Sequence, residues 1–198
     1  MAGIGFELRR MLRKDTLLGL VQAYAYASVI GSGPWVLSIV GILLIGIFSA
    51  SVGVPGSLVT QFQTSVTYLV ACSLIYTGLV QLAFTRFISD RLFEKRKDMV
   101  LPNLHGQLVL VLLGACLLGT AALFIALPGL GLVYRLLMLA GFTLMCGVWV
   151  LTVLLSGMKR YKAIVLLFGV SYGLIVVSAL LMRPWGLEGL LGGFVLGN

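Results

Sequence analysis

Long apolar stretches dominate the hydrophobic pattern of this chain and are separated by short polar segments. Five stretches are long enough to cross a bilayer as a helix, which takes about 20 residues. They cover residues 17–48, 58–89, 108–127, 132–156 and 164–182. A sixth begins at Leu187 and is still apolar at Asn198. Because a helix of that length rises only about 18 Å and the hydrocarbon core is about 30 Å thick, we expect this last span to be incomplete here.

The first 15 residues have a different, amphipathic pattern. At helical spacing, Ile4, Leu8, Met11 and Leu12 share one face. The four cations of the segment cover the other face: Arg9, Arg10, Arg13 and Lys14. This arrangement is typical of a helix that lies on an anionic membrane surface, and a solvated basic tail is the alternative. No small-residue cleavage site follows, so the segment is not interpreted as a signal peptide.

Composition supports an all-α integral membrane protein, a helical bundle of five full spans and a truncated sixth. Charged residues make up 10% of the chain and the mean hydropathy is +1.12, whereas soluble domains carry roughly 25% charged residues. These values exclude a water-soluble globule and a disordered chain. We predict an interfacial helix over residues 1–15 and an N-terminal transmembrane lobe over residues 16–198.

The cations fall on one side of the predicted spans. Of the 14 Lys and Arg residues, four lie in the N-terminal segment, five in the second connection and three in the fourth, and only Arg135 and Arg183 lie on the other side. The cations of the two connections are Arg86, Arg91, Lys95, Arg96, Lys97, Lys159, Arg160 and Lys162. Cytoplasmic loops collect Lys and Arg, so the N-terminus is predicted to be cytoplasmic. Apart from Arg86, we expect these cations and those of the N-terminal segment to contact anionic lipid or a cytoplasmic partner, with topology determination alone as the alternative.

The residues needed for catalysis are missing at membrane depth. His105 is the single histidine and lies just before the third span. Cys72, Cys116 and Cys146 lie within spans and form no metal-binding spacing. Neither paired carboxylates nor a nucleotide-binding loop is present. We therefore expect a protein that is not an enzyme, needs no metal or other cofactor, and owes its net charge of +8 to topology, not to nucleic-acid binding.

Polar residues mark the first predicted span. Gln22 and Tyr26 lie within it, followed by Gly31, Gly33 and Pro34. Proline removes a backbone donor, and flanking glycines loosen the helix further. We expect a kink or a break there, which is either a hinge that lines a cavity or a static kink filled by neighbouring helices.

The second span carries a polar stripe. At 100° per residue, one face contains Gln61, Thr64, Ser65, Tyr68, Cys72 and Tyr76. Uncharged donors, acceptors and flat rings suit a sugar, whereas hydrogen bonding between helices is the competing interpretation. The candidate substrate-passage residues are Gln22, Tyr26, Gln61, Ser65, Tyr68 and Tyr76. Elsewhere, Gly169 and Gly173 form a pair whose spacing is predicted to permit close helix approach.

Two opening segments carry a resemblance to a known family: MAGIGFELRRMLRKD and YAYASVIGSGPWVLSIVGILLIG. They resemble the start of the PelG family, the transporters of the Pel exopolysaccharide system within the MOP flippase/exporter superfamily. The basic segment RFISDRLFEKRKDMVLPN is compatible with the same family. The resemblance implies two six-helix lobes around a central cavity, of which this chain would be the N-terminal lobe.

The resemblance also implies a function and partners. The function is translocation of a hexosamine-rich polysaccharide across the bacterial inner membrane. The implied partners are a cytoplasmic glycosyltransferase, a cyclic-di-GMP-responsive membrane receptor and a TPR-bearing membrane protein. Two alternatives stay open, namely a non-transporting scaffold that anchors the synthase complex, and a MOP-type lipid-linked oligosaccharide flippase or drug antiporter. An ion-coupled antiporter would require a buried carboxylate, and none lies deep in the first five spans.

Overall fold

The described part of the chain is helical except for short connections between helices. The computed structural model describes residues 20–21, 36–49, 51, 53–126, 129–158 and 160–198, and no β-strand occurs among them. The α-helices are α1 (Val36–Ser49), α2 (Gly56–Phe93), α3 (Val100–Ala121), α4 (Leu132–Gly157), α5 (Tyr161–Met182) and α6 (Gly186–Gly197). A π-helical turn, Ala122–Ala126, extends α3, and a 3-10 turn, Arg183–Trp185, separates α5 from α6.

The predicted all-α membrane architecture is confirmed. Four helical segments are long and apolar enough to cross a bilayer: Gly56–Gly78, Val100–Ile125, Leu132–Gly157 and Ala163–Gly197. The last of these contains the turn between α5 and α6, so it is a hairpin and not one straight helix. The membrane boundaries of the spans stay predictions.

Several sequence-based predictions fall outside the described residues. They concern the N-terminal cations, the two polar residues of the first span and the predicted hinge. The residues are Arg9, Arg10, Arg13, Lys14, Gln22, Tyr26, Gly31, Gly33 and Pro34. Of the first apolar stretch, α1 is the described helix, and Gly46 brings it against α2, where a Cβ would lie 2.6 Å from Gln63 Nε2.

Helix α2 is longer than a membrane is thick. Its 38 residues extend about 57 Å at 1.5 Å per residue, whereas a bilayer with its headgroups measures about 40–45 Å. The helix ends at a sharp reversal in which Lys95 has φ 60°. Backbone N–H groups of Glu94 and Arg96 donate to the carbonyls of Asp90 and Arg91, both at 2.9 Å. These bonds satisfy carbonyls of the last helical turn and lead the chain into α3.

Three glycines of α6 allow the α5–α6 hairpin to close. A Cβ on Gly189 would overlap the carbonyl of Met182, and Cβ atoms on Gly193 and Gly197 would overlap the backbones of Ala179 and Ile175. The turn between the helices requires a further glycine at residue 186, where φ is 67°.

Gly169 and Gly173 make no close helix contact within the described part of the chain, where no atom outside their own helix backbone lies within 4 Å of a Cβ built on either residue. That their spacing permits close helix approach stays a prediction. Both glycines lie on exposed positions of α5. The glycines that allow close approach in the α5–α6 hairpin have the same four-residue spacing, but they lie on α6.

Helix α4 lies at the centre of the bundle, between two buried clusters. Met145 and Trp149 belong to a cluster built with α1, α2, α5 and α6. Cys146 and Val150 belong to the second, built with α2 and α3. Helices α2 and α4 share both clusters, and both also line the site described next.

Candidate functional site

A cleft of about 940 Å³ lies between the first half of α2, the end of α3 and the first half of α4. Helix α2 contributes Ser57, Thr60, Gln61, Thr64, Ser65, Tyr68, Leu69 and Cys72 to its lining. The opposite wall consists of Leu118, Gly119, Ala122, Leu123, Leu130, Tyr134, Met138 and Phe142. The volume is within the range of about 300–1,000 Å³ of small-molecule sites.

The α2 wall contains most of the polar stripe predicted from the sequence. Gln61, Thr64, Ser65, Tyr68 and Cys72 all line the cleft. The side chains of Gln61, Thr64 and Tyr68 are exposed, and within the described part of the chain none of the three makes a hydrogen bond. Helical spacing brings them together because residues three and four apart share one face. The polar groups of these three side chains therefore have no partner within the described part of the chain.

Ser65 is buried and links α2 to α4. Its Oγ lies 2.6 Å from the Gln61 carbonyl and 2.8 Å from the Tyr134 Oη. A serine hydroxyl has one proton, and the carbonyl can only accept it, so Tyr134 donates to Ser65. Tyr134 also lines the cleft. Sequence reasoning missed Tyr134, because nothing in the apolar fourth span indicates which face turns toward α2.

The wall opposite α2 is mainly apolar. Leu118 and Leu123 come from the end of α3 and its π-helical turn, and Met138 and Phe142 come from α4. The cleft is thus one-sided, with uncharged hydrogen-bonding groups along α2 and aliphatic or aromatic side chains facing them.

Tyr76 lies one helical turn beyond Cys72, at the inner end of the cleft, which is the end nearest the middle of α2. It does not line the cleft. Its Oη donates to the Val111 carbonyl at 3.2 Å, and its ring centroid lies 6.0 Å from that of Phe142. Gly114 leaves room for the hydroxyl, because a Cβ there would overlap it. Of the passage candidates on α2, the structure brings Gln61, Ser65 and Tyr68 into the cleft and directs Tyr76 to α3.

A second set of polar groups on α2 faces the core. The Trp149 Nε1 donates to Ser73 Oγ at 2.9 Å. Thr77 donates to the Ser73 carbonyl at 2.7 Å, and Gln81 Nε2 donates to Thr77 at 2.7 Å. For Ser73 and Tyr76, hydrogen bonding between helices accounts for the polar residue at membrane depth.

The predicted cytoplasmic cations are placed at the ends of the helices. Arg91 pairs with Glu94 and lies over the Phe87 ring at 5.2 Å, whereas the side chains of Lys95, Arg96 and Arg160 are exposed. Three further candidates have side chains outside the described part, namely Lys97, Lys159 and Lys162. Among the described residues, no group of three His, Cys, Asp or Glu side chains could hold a metal ion.

One family matches the chain over its whole length. It is described as "PelG: Putative exopolysaccharide Exporter (EPS-E)", and the match covers residues 1–198. No curated protein and no solved structure matches the chain.

Proposed function

Because the chain belongs to the PelG family of exopolysaccharide exporters, we propose that it moves a hexosamine-rich exopolysaccharide across the bacterial inner membrane. The family and the apolar helices make it a multi-pass membrane protein. In this proposal the α2 wall of the cleft forms part of the passage. Gln61, Ser65 and Tyr68 contact the polymer, and so does Thr64, which lies on the same face of α2.

The observation that carries the proposal is the row of exposed, uncharged polar groups on α2. The side chains of Gln61, Thr64 and Tyr68 have no hydrogen-bond partner among the described residues. A polar group that faces hydrocarbon without a partner is costly, so such groups in a spanning helix call for water or a polar ligand. Sugar hydroxyls can bond to amides and hydroxyls, and an aromatic ring offers a flat apolar face to their C–H bonds. Weak contacts of this kind allow a polymer to slide.

The predicted topology sets the direction of the cleft. With a cytoplasmic N-terminus, the first half of α2 is periplasmic, so the cleft lies on the exit side. Toward the cytoplasmic side, α2, α3 and α4 pack directly against one another through the cluster that includes Phe84, Ile88, Val111 and Val150. Tyr76 marks the boundary between the two halves, so we assign the described helices to an outward-open arrangement.

We propose a cytoplasmic glycosyltransferase as the partner that delivers the polymer. It would act within a cyclic-di-GMP-regulated membrane complex that includes the receptor and the TPR-bearing protein. The cations at the cytoplasmic helix ends would contact that complex or anionic lipid. A transporter, and not an enzyme, is the role that the exporter family supports.

Paired substitutions on α2 test the proposal. Thr64 and Thr67 are both exposed threonines of α2, but Thr64 lines the cleft and Thr67 does not, and Thr67 Oγ1 bonds to the Gln63 carbonyl at 2.8 Å. We expect Thr64→Val, and more strongly Gln61→Leu combined with Tyr68→Ala, to lower secreted polysaccharide in cells. Thr67→Val is the matched control and should leave secretion unchanged.

Protein level and complex assembly must be measured in the same cells. Reduced secretion with normal assembly supports the passage. Normal secretion by the Gln61, Thr64 and Tyr68 variants would contradict it and would favour the scaffold role, in which only assembly matters.

A further inference from the structure

The most exposed large apolar side chain in the described part of the chain is Phe93, at 91% exposure. It is the last residue of α2. The chain reverses directly after it, and the Lys95 N–H donates to the Leu92 carbonyl at 3.2 Å while the Arg96 N–H donates to the Arg91 carbonyl at 2.9 Å. The ring is therefore presented by a hydrogen-bonded turn and not by a frayed helix end.

Packing against α4 fixes the depth of this ring. Ile88 packs on Gly157, the last residue of α4, where a Cβ would lie 2.9 Å from Ile88 Cγ2. Phe93 follows five residues later, which is about 7.5 Å further along the helix. A bilayer of about 40–45 Å with a core of about 30 Å leaves roughly 5–7 Å for each headgroup layer. With the end of α4 at the edge of the hydrocarbon, the Phe93 backbone lies at the outer edge of the headgroup layer.

The charges beside Phe93 favour an anionic surface. Residues 86–98 contain five cations and three carboxylates, a net charge of +2. Arg91 is paired with Glu94, the residue after Phe93, whereas Lys95 and Arg96, two and three residues after Phe93, are exposed. An apolar side chain beside exposed cations is typical of segments that bind at the headgroup boundary, and the cytoplasmic leaflet is negatively charged.

We propose that Phe93 inserts among the headgroups of anionic phospholipids in the cytoplasmic leaflet, with Lys95 and Arg96 contacting their phosphates. This anchor fixes the depth of α2, the helix that carries the polar wall of the cleft. The inference uses the predicted topology but does not depend on the export role.

The test uses the full chain in lipid nanodiscs. The variant Phe93→Trp is placed in discs whose brominated, fluorescence-quenching chains are carried either by phosphatidylglycerol or by phosphatidylcholine. The signal of the three native tryptophans is subtracted with the parent protein. We expect stronger quenching by the anionic lipid, because a cation near an anionic surface enriches such lipid roughly fivefold. Adding Lys95→Gln and Arg96→Gln should make the two lipids equal.

Two controls accompany this measurement. Arg160→Gln removes an exposed cation from the α4–α5 connection and should leave the preference at residue 93 unchanged. Leu110→Trp lies on the exposed surface of α3 and should be quenched equally by both lipids.

Three results would overturn the proposal. They are equal quenching of Phe93→Trp by the two lipids, a preference that survives the double glutamine variant, and a Phe93→Trp ring that neither lipid quenches. The last result would place the ring outside the lipid. Should Phe93→Trp not fold, retention of phosphatidylglycerol by the unsubstituted protein and by the double variant, measured by native mass spectrometry, provides the same comparison.

Discussion

The Tyr76 hydroxyl occupies the space that a side chain at residue 114 would need. A Cβ on Gly114 would overlap Tyr76 Oη, and the ring carbon Cζ would lie 3.4 Å away, which is an ordinary contact. The same hydroxyl donates to the Val111 carbonyl. Gly114 and Tyr76 together hold α2 against α3 at the inner end of the cleft.

We predict that Gly114→Ala destabilises the bundle and that Tyr76→Phe rescues it. The alanine methyl displaces the hydroxyl from Val111, and overpacking of this kind costs about 1–3 kcal/mol. Removing the hydroxyl relieves the overlap, so the double variant should be more stable than Gly114→Ala alone. Reversible unfolding in mixed micelles measures the free energies.

The matched control is Gly106→Ala on the same helix. No described atom lies within 4 Å of a Cβ at residue 106, so this variant should be neutral or slightly stabilising, since alanine favours a helix over glycine by about 1 kcal/mol. If Tyr76→Phe lowers the stability of Gly114→Ala further, the overlap is not the cause of its defect.

The bond between Tyr134 and Ser65 should appear as an energetic coupling. Hydrogen bonds between helices in membranes contribute about 0.6–1.7 kcal/mol. In a double-mutant cycle, Tyr134→Phe and Ser65→Ala should each destabilise the protein, and the double variant should lose less than the sum. The cycle requires the free energies of unfolding of the parent protein, the two single variants and the double variant. Additive losses of stability would show that the two side chains do not interact.

The α5–α6 hairpin should tolerate no side chain at residue 193. A Cβ there would overlap the backbone of Ala179, which no rotamer change can relieve. We expect Gly193→Ala to cost about 3 kcal/mol or more, at the upper end for overpacking. Gly173→Ala, on the open side of α5 with no described atom within 4 Å, is the control. Equal stability of the two variants would show that the hairpin does not close through Gly193.

The sequence predicted the helical class and most of the polar wall, because both depend on periodicity within one segment. Gln61, Thr64, Ser65, Tyr68 and Cys72 share a face of α2 wherever that helix lies, and they line one cleft. Periodicity does not tell which helix packs against each face.

Three features depended on tertiary contacts and could not be predicted. Tyr134 enters the site because α4 is rotated to bring its hydroxyl onto Ser65. Tyr76 leaves the cleft because α3 presents a carbonyl beside a glycine. Glycines four residues apart occur on α5 and on α6, and only the packing of the hairpin selects those of α6.

Three native cysteines allow a direct test of water in the cleft. Cys72 lines the cleft, Cys116 is exposed on α3 outside the lining, and Cys146 is buried. If the α2 wall is hydrated from the periplasmic side, a membrane-impermeant charged thiol reagent should modify Cys72 in right-side-out vesicles much faster than in inverted vesicles. Cys116 should react slowly in both kinds of vesicle, because the proposal places it facing lipid and such reagents do not enter hydrocarbon. Cys146 should also react slowly, because it is buried.

Mass spectrometry of the labelled peptides measures the extent of reaction at each cysteine, with detergent-denatured protein as the reference for full reaction. Equal labelling of Cys72 and Cys116 would contradict the proposal that the cleft is hydrated whereas the outer face of α3 contacts lipid. Labelling of Cys72 in inverted vesicles alone would place the cleft on the cytoplasmic side and contradict the predicted topology.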